Sequence, residues 1–113
     1  MTATEIRNAS IEQLLDTRER MLSTRWKLKL RTASKAEKEE NAATMLQVQH
    51  AILELQNKTL SELREKLVAN EKALGEGIES LKKSLKTIEN IRVAVQAIGQ
   101  FLQIVGRVVR LLT

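Results

Sequence analysis

His50 is the single histidine among the 113 residues, so any acid–base or metal chemistry has to be weighed there first. At helical spacing it meets one carboxylate, Glu54, and no thiol or second imidazole. A metal site would need ligands from other chains, and His50 reads instead as a surface or rim residue. Carboxylates stand close together at Glu39–Glu40 and at Glu62/Glu65. Lysines flank both pairs (Lys38, Lys66), as on a solvated helix surface and unlike a desolvated acid–base dyad. Asp16 is the only aspartate, and there is no cysteine, which removes disulfides, thiolate ligands and thiol nucleophiles together. No phosphate-cradling glycine pattern and no nucleophile elbow occurs; Gly75-Glu76-Gly77 runs into Ile78 and Glu79, which is poor phosphate chemistry. The expectation is a non-enzymatic protein with no cofactor and no metal.

Two other segments carry chemistry of a physical kind. Arg25-Trp26-Lys27-Leu28-Lys29-Leu30-Arg31 alternates basic and apolar residues, the period of a strand. A tryptophan flanked by cations is also a headgroup-level anchor in membrane proteins. The plainer reading is the basic end of a first helix. Residues 91–113 differ from everything before them. Glu89 is the last acid, and a wide apolar arc faces one stripe of Arg92, Gln96, Gln100, Gln103, Arg107 and Arg110. Such an arc needs two or more neighbouring helices, or lipid. Its longest uncharged run, Val93–Gly106, is shorter than the ~20 residues of a membrane span. Trp26, Leu28, Leu30, Ile98, Phe101, Val105, Arg107 and Arg110 are therefore the candidate membrane or partner contacts.

Helices must position these groups. The chain has no proline, four glycines and two aromatics, too little turn vocabulary for a sandwich or barrel and too few rings for a base-stacking platform. Ser10-Ile11-Glu12-Gln13 and Ser34-Lys35-Ala36-Glu37 have the form of capping boxes. They place a first helix at about 11–31 and a second from about Lys35.

From Leu46 onward one line dominates. Leu46, Leu53, Leu60, Leu67, Leu74, Leu81, Ile88, Val95, Leu102 and Val109 fall every seventh residue, the signature of an oligomerisation seam in a coiled coil. Gln49 and Gln56 occupy the companion position, where buried polar residues fix register. Between Asn70 and Ser84 that companion position has no apolar residue, and Ile78 and Leu85 substitute one place later. The doubled glycine lies in the same stretch. These features predict an all-α fold in one domain, 1–113. Its form is a long coiled-coil-like hairpin, with arms at 35–74 and 78–112 turning at Gly75 and Gly77 and the N-terminal helix packed alongside. The alternative is a single long rod.

Charge is laid out in blocks. Residues 17–35 hold seven Lys or Arg against Glu19, residues 36–80 nine Glu against five cations, and residues 81–113 six cations against Glu89. The function expected is helical assembly: a homo-oligomer, or a complex with a helical partner, formed through the heptad seam and burying the C-terminal helix. One alternative is a membrane-active protein that inserts or forms pores through residues 91–113 on an anionic membrane. A second is a nucleic-acid-binding accessory protein using 18–35 and 82–92, which has the charge but no reading unit. Residues 1–8 carry Glu5 and Arg7 and no apolar run, so no cleavable signal is expected. The expected location is cytoplasmic or peripheral to a membrane, or outside the cell by export without such a signal.

Overall fold

Among the described residues, short polar side chains start five of the six helices, each by accepting a backbone N–H of the first turn. Thr2 Oγ1 accepts from Glu5 N at 3.2 Å while Glu5 Oε1 accepts from Thr2 N at 3.0 Å, a complete capping box that opens α1 (Ala3–Met21). Ser23 starts α2 (Thr24–Arg31), Ser34 starts α3 (Lys35–Asn57), Thr59 starts α4 (Leu60–Ala69) and Asn90 starts α6 (Ile91–Val105). Between the last two, α5 (Glu71–Lys86) follows α4 after the single residue Asn70, with no side-chain cap. The computed structural model describes residues 1–87 and 89–111.

Four helices make the body. The amino group of Met1 lies 2.9 Å from Glu71 Oε1, and Arg20 Nη1 donates to Leu85 O at 3.1 Å, so α1 and α5 run side by side in the same direction. Beyond α5 the chain reverses, and α6 returns along α5 with Phe101 and Ile104 opposite Gly77. α3 runs parallel to α6: Trp26 Nε1 donates to Asn41 Oδ1 near its start, and His50 Nε2 lies 3.2 Å from Arg110 O near its end. Packing closes a ring in which α1 and α6 each touch both α3 and α5. α2 covers one end of this ring, and α4 carries the chain from α3 to α5 while packing on α1. The class is all-α, with an antiparallel hairpin of α5 and α6 beside the N-terminal helix.

The position of α6 explains its composition. Ile91, Ala94, Val95, Ile98, Phe101, Leu102 and Val105 are all buried, because α3 and α5 of the same chain flank it. The wide apolar arc thus finds its two neighbours within the chain. The helix ends at Val105, short of the expected 112, and a turn tucks Val108 and Val109 back into the core.

Several expectations are corrected by this arrangement. The rod is excluded: the greatest extent is 44 Å, whereas a helix of nearly eighty residues would reach ~115 Å. The first helix is two helices, 3–21 and 24–31, because Ser23 caps a new start. Ser10 caps nothing; it lies inside α1, where its hydroxyl donates to Ile6 O at 2.9 Å. The basic alternating segment is a helix, as on its plainer reading, and not a strand; Trp26 faces in and Leu28 faces out.

Gly75 and Gly77 form no turn. Both lie inside α5, and among the described residues no glycine has a positive φ. Gly77 is there for close approach: a methyl group added to it would lie 2.9 Å from Ile104 Cδ1 and 3.0 Å from Phe101 Cδ1. Gly75 faces open space. Gly75→Ala is therefore expected to stabilise the fold by about 0.5–1 kcal/mol through helix propensity. Gly77→Ala gains the same propensity but makes the Ile104 side chain and the buried Phe101 ring give way, for a net loss of about 1 kcal/mol. Thermal unfolding followed by circular dichroism reads both signs. A turn at this place would instead make Gly75→Ala destabilising.

Candidate functional site

The seven-residue line is divided between the inside and the outside of the molecule. Leu67, Leu74, Leu81, Val95, Leu102 and Val109 are buried in the chain's own core, and Leu60 is half-buried against it. Ile88 lies outside the described residues. Leu46 and Leu53 point to solvent, 59% and 55% exposed. The physical reason is that the line crosses four separate helices, α3 to α6, and each break resets its rotation about the bundle axis. In α3 the inward stripe is Thr44, Val48, Ala51, Ile52 and Leu55, which turns the leucines of the seven-residue line outward.

That outward face has an unusual composition for a chain rich in charge. From Ala42 to Asn57 every exposed residue of α3 is uncharged: Ala42, Ala43, Leu46, Gln49, Leu53, Gln56 and Asn57. Gln49 and Gln56 are thus surface residues, not buried register-setters within the fold. They and Ala42 alternate with the two leucines at three- and four-residue intervals, the spacing of a coiled-coil seam about 21 Å long. His50 edges the stripe. Its Nε2 lies 3.5 Å from Glu54 Oε1 and 3.2 Å from Arg110 O, which ties the residues after α6 to α3.

The other expected contacts are redistributed. Trp26 is fully buried, with its ring N–H bonded to Asn41 Oδ1 at 2.9 Å, so it is a core residue and not a headgroup anchor. Ile98, Phe101 and Val105 are likewise buried inside the bundle. Leu30 is half-buried, whereas Leu28, Arg107 and Arg110 remain on the surface. Among the described residues no helix is long and apolar enough to cross a membrane, and no group of three or more His, Cys, Asp or Glu could hold a metal ion. The carboxylates singled out in the sequence serve locally or face solvent: Glu62 Oε1 accepts from the Thr59 hydroxyl that caps α4, and Glu39, Glu40 and Glu65 are exposed.

The folded chain also brings together two basic blocks that are distant in sequence. Arg20 on α1 reaches Leu85 O on α5, and Lys29 Nζ on α2 lies 3.3 Å from Glu89 O. One end of the bundle therefore collects the cations of 18–35 and 82–92. The matching sign of the two blocks is the signal by which the sequence already groups them; the contacts that bring them together are not legible in it. Comparison of the chain with protein-family models, with curated proteins and with solved structures gives no match.

Proposed function

We propose that this chain is a non-enzymatic helical interaction protein that pairs with a second copy of itself through the outer face of α3. The observation that carries the reading is the exposure of Leu46 and Leu53, in heptad register, within a surface stripe without formal charge. A charged face would repel its own copy across a two-fold axis, and this one does not. Leucine at one seam position, with Ala42, Gln49 and Gln56 at the other, gives apolar knobs and polar groups that can bond to each other across the pair. Two such stripes bury on the order of 800 Å² in total, below the usual size of a tight complex. The association is accordingly concentration-dependent, and the apolar C-terminal helix stays inside each protomer.

The absence of native cysteine allows a direct test. Gln49 lies at the middle of the stripe, so it meets its own copy in either a parallel or an antiparallel pair. Gln49→Cys is expected to form a disulfide-linked dimer rapidly under mild oxidation, since a pair places the two Cα atoms near bridging distance. Glu12→Cys, exposed on α1, is the control. Equal rates of linkage for the two variants would contradict the proposal.

A further inference from the structure

We infer that the α2 end of the bundle is a docking surface for anionic lipid bilayers, bound peripherally and without insertion of a helix. Exposed cations from three helices lie at this end: Arg25, Lys27 and Arg31 on α2, Lys83 and Lys86 in the last turn of α5, and Arg92 in the first turn of α6. Among the described residues none of these six is engaged in an ion pair. The nearby acids are in part already committed. Asp16 holds Arg20 at 2.9 Å, Glu37 bonds the Ser34 cap, and Glu79 faces Lys82 at 3.9 Å. Glu19, Glu89 and, at the start of α3, Glu39 and Glu40 are also exposed at this end, and the six cations outnumber them.

Charge alone would suit any polyphosphate. The choice of a bilayer rests on the apolar residues that share the surface. Leu28, on the outer side of α2, and Leu22, just before it, are each 53% exposed among the cations. A phosphate backbone gains nothing from exposed leucines, whereas the interface of a bilayer accepts both leucine and lysine. Trp26, the one ring in the basic segment, is buried and hydrogen-bonded, so it is not offered for stacking on bases. The short helix therefore presents cations and Leu28 outward while its tryptophan locks it to the bundle. This surface is separate from the α3 stripe and does not depend on self-association.

Flotation with vesicles tests the inference. The full chain is expected to float with phosphatidylcholine vesicles containing a quarter phosphatidylglycerol, not with pure phosphatidylcholine, and to be released by high salt. Lys27→Glu with Arg31→Glu should weaken binding at least tenfold, and Leu28→Ser several-fold, with circular dichroism unchanged for both. Leu46→Glu with Leu53→Glu should leave vesicle binding intact. Absence of binding to the anionic vesicles would overturn the inference. So would indifference to Leu28→Ser, or tighter binding to a duplex DNA than to the vesicles in the same salt. Release of an entrapped dye would also overturn it, since that means insertion.

Discussion

Replacing Trp26 with alanine is expected to remove about 3–5 kcal/mol of stability, a large share of the roughly 5–15 kcal/mol that holds a domain of this size. The indole is fully buried where α2 covers the bundle, and its N–H donates to Asn41 Oδ1 on α3. Truncation opens a ring-sized cavity and also leaves the Asn41 oxygen without its donor. It further detaches α2. Eight residues are too few to stay helical without tertiary contacts, so the basic segment would fray with the loss. Trp26→Phe separates the two effects: most of the ring volume stays and the hydrogen bond goes, for a loss of about 1–2 kcal/mol. Urea unfolding read by circular dichroism measures both. A loss below ~1 kcal/mol for Trp26→Ala would mean that the residue is not at the core.

Ile98→Asp should be at least as damaging. Ile98 is completely buried in the middle of α6, within the apolar core. A carboxylate there must either stay charged in an apolar setting or take up a proton at neutral pH, and both are costly. The expected loss exceeds about 4 kcal/mol, enough to unfold the chain. Gln100→Asp, two residues on and exposed, should change stability by less than ~0.5 kcal/mol. The pair also locates the neighbours of α6. If its apolar arc were covered only by other copies, Ile98→Asp would give a folded monomer; with the neighbours inside the chain, it gives an unfolded one. Circular dichroism with sedimentation velocity distinguishes these results.

Much of the fold was legible in the residue pattern, and the errors have physical causes. The all-α class followed from the missing proline and the helical stripes, and the Ser34 box caps α3. The Thr59-Leu60-Ser61-Glu62 box had the same form as Ser34-Lys35-Ala36-Glu37, with Glu62 N bonded to Thr59 Oγ1 at 3.2 Å. Thr2 with Glu5 was another. The seven-residue line ran straight across Thr59 and concealed the break, because a buried stripe in a bundle and a coiled-coil seam share their spacing over short lengths. The substitution of Ile78 and Leu85 for a companion apolar position was the visible sign that α5 keeps a 3.6-residue period of its own. Its buried stripe is Leu74, Ile78, Leu81 and Leu85.

The turn was misplaced because glycine can serve two ends. At Gly77 the missing side chain admits Phe101 and Ile104, and spacing alone does not separate that role from a left-handed cap. The chain reverses between the end of α5 at Lys86 and the start of α6 at Ile91, with neither glycine nor proline between them; Asn90, capping Arg92 N at 2.8 Å, marks the new start. As for the candidate surface, the leucines at 46 and 53 were visible as seam positions from the start. Their exposure was not, since it depends on which side of α3 meets α1 and α6.

Self-association through the outer face of α3 is tested most directly by sedimentation equilibrium of the full chain beside Leu46→Glu with Leu53→Glu. The wild type should move from monomer toward dimer as concentration rises, while the double variant stays monomeric with the same circular dichroism and the same unfolding midpoint. A wild type that remains monomeric at every concentration, or a double variant that associates as the wild type does, would contradict the account.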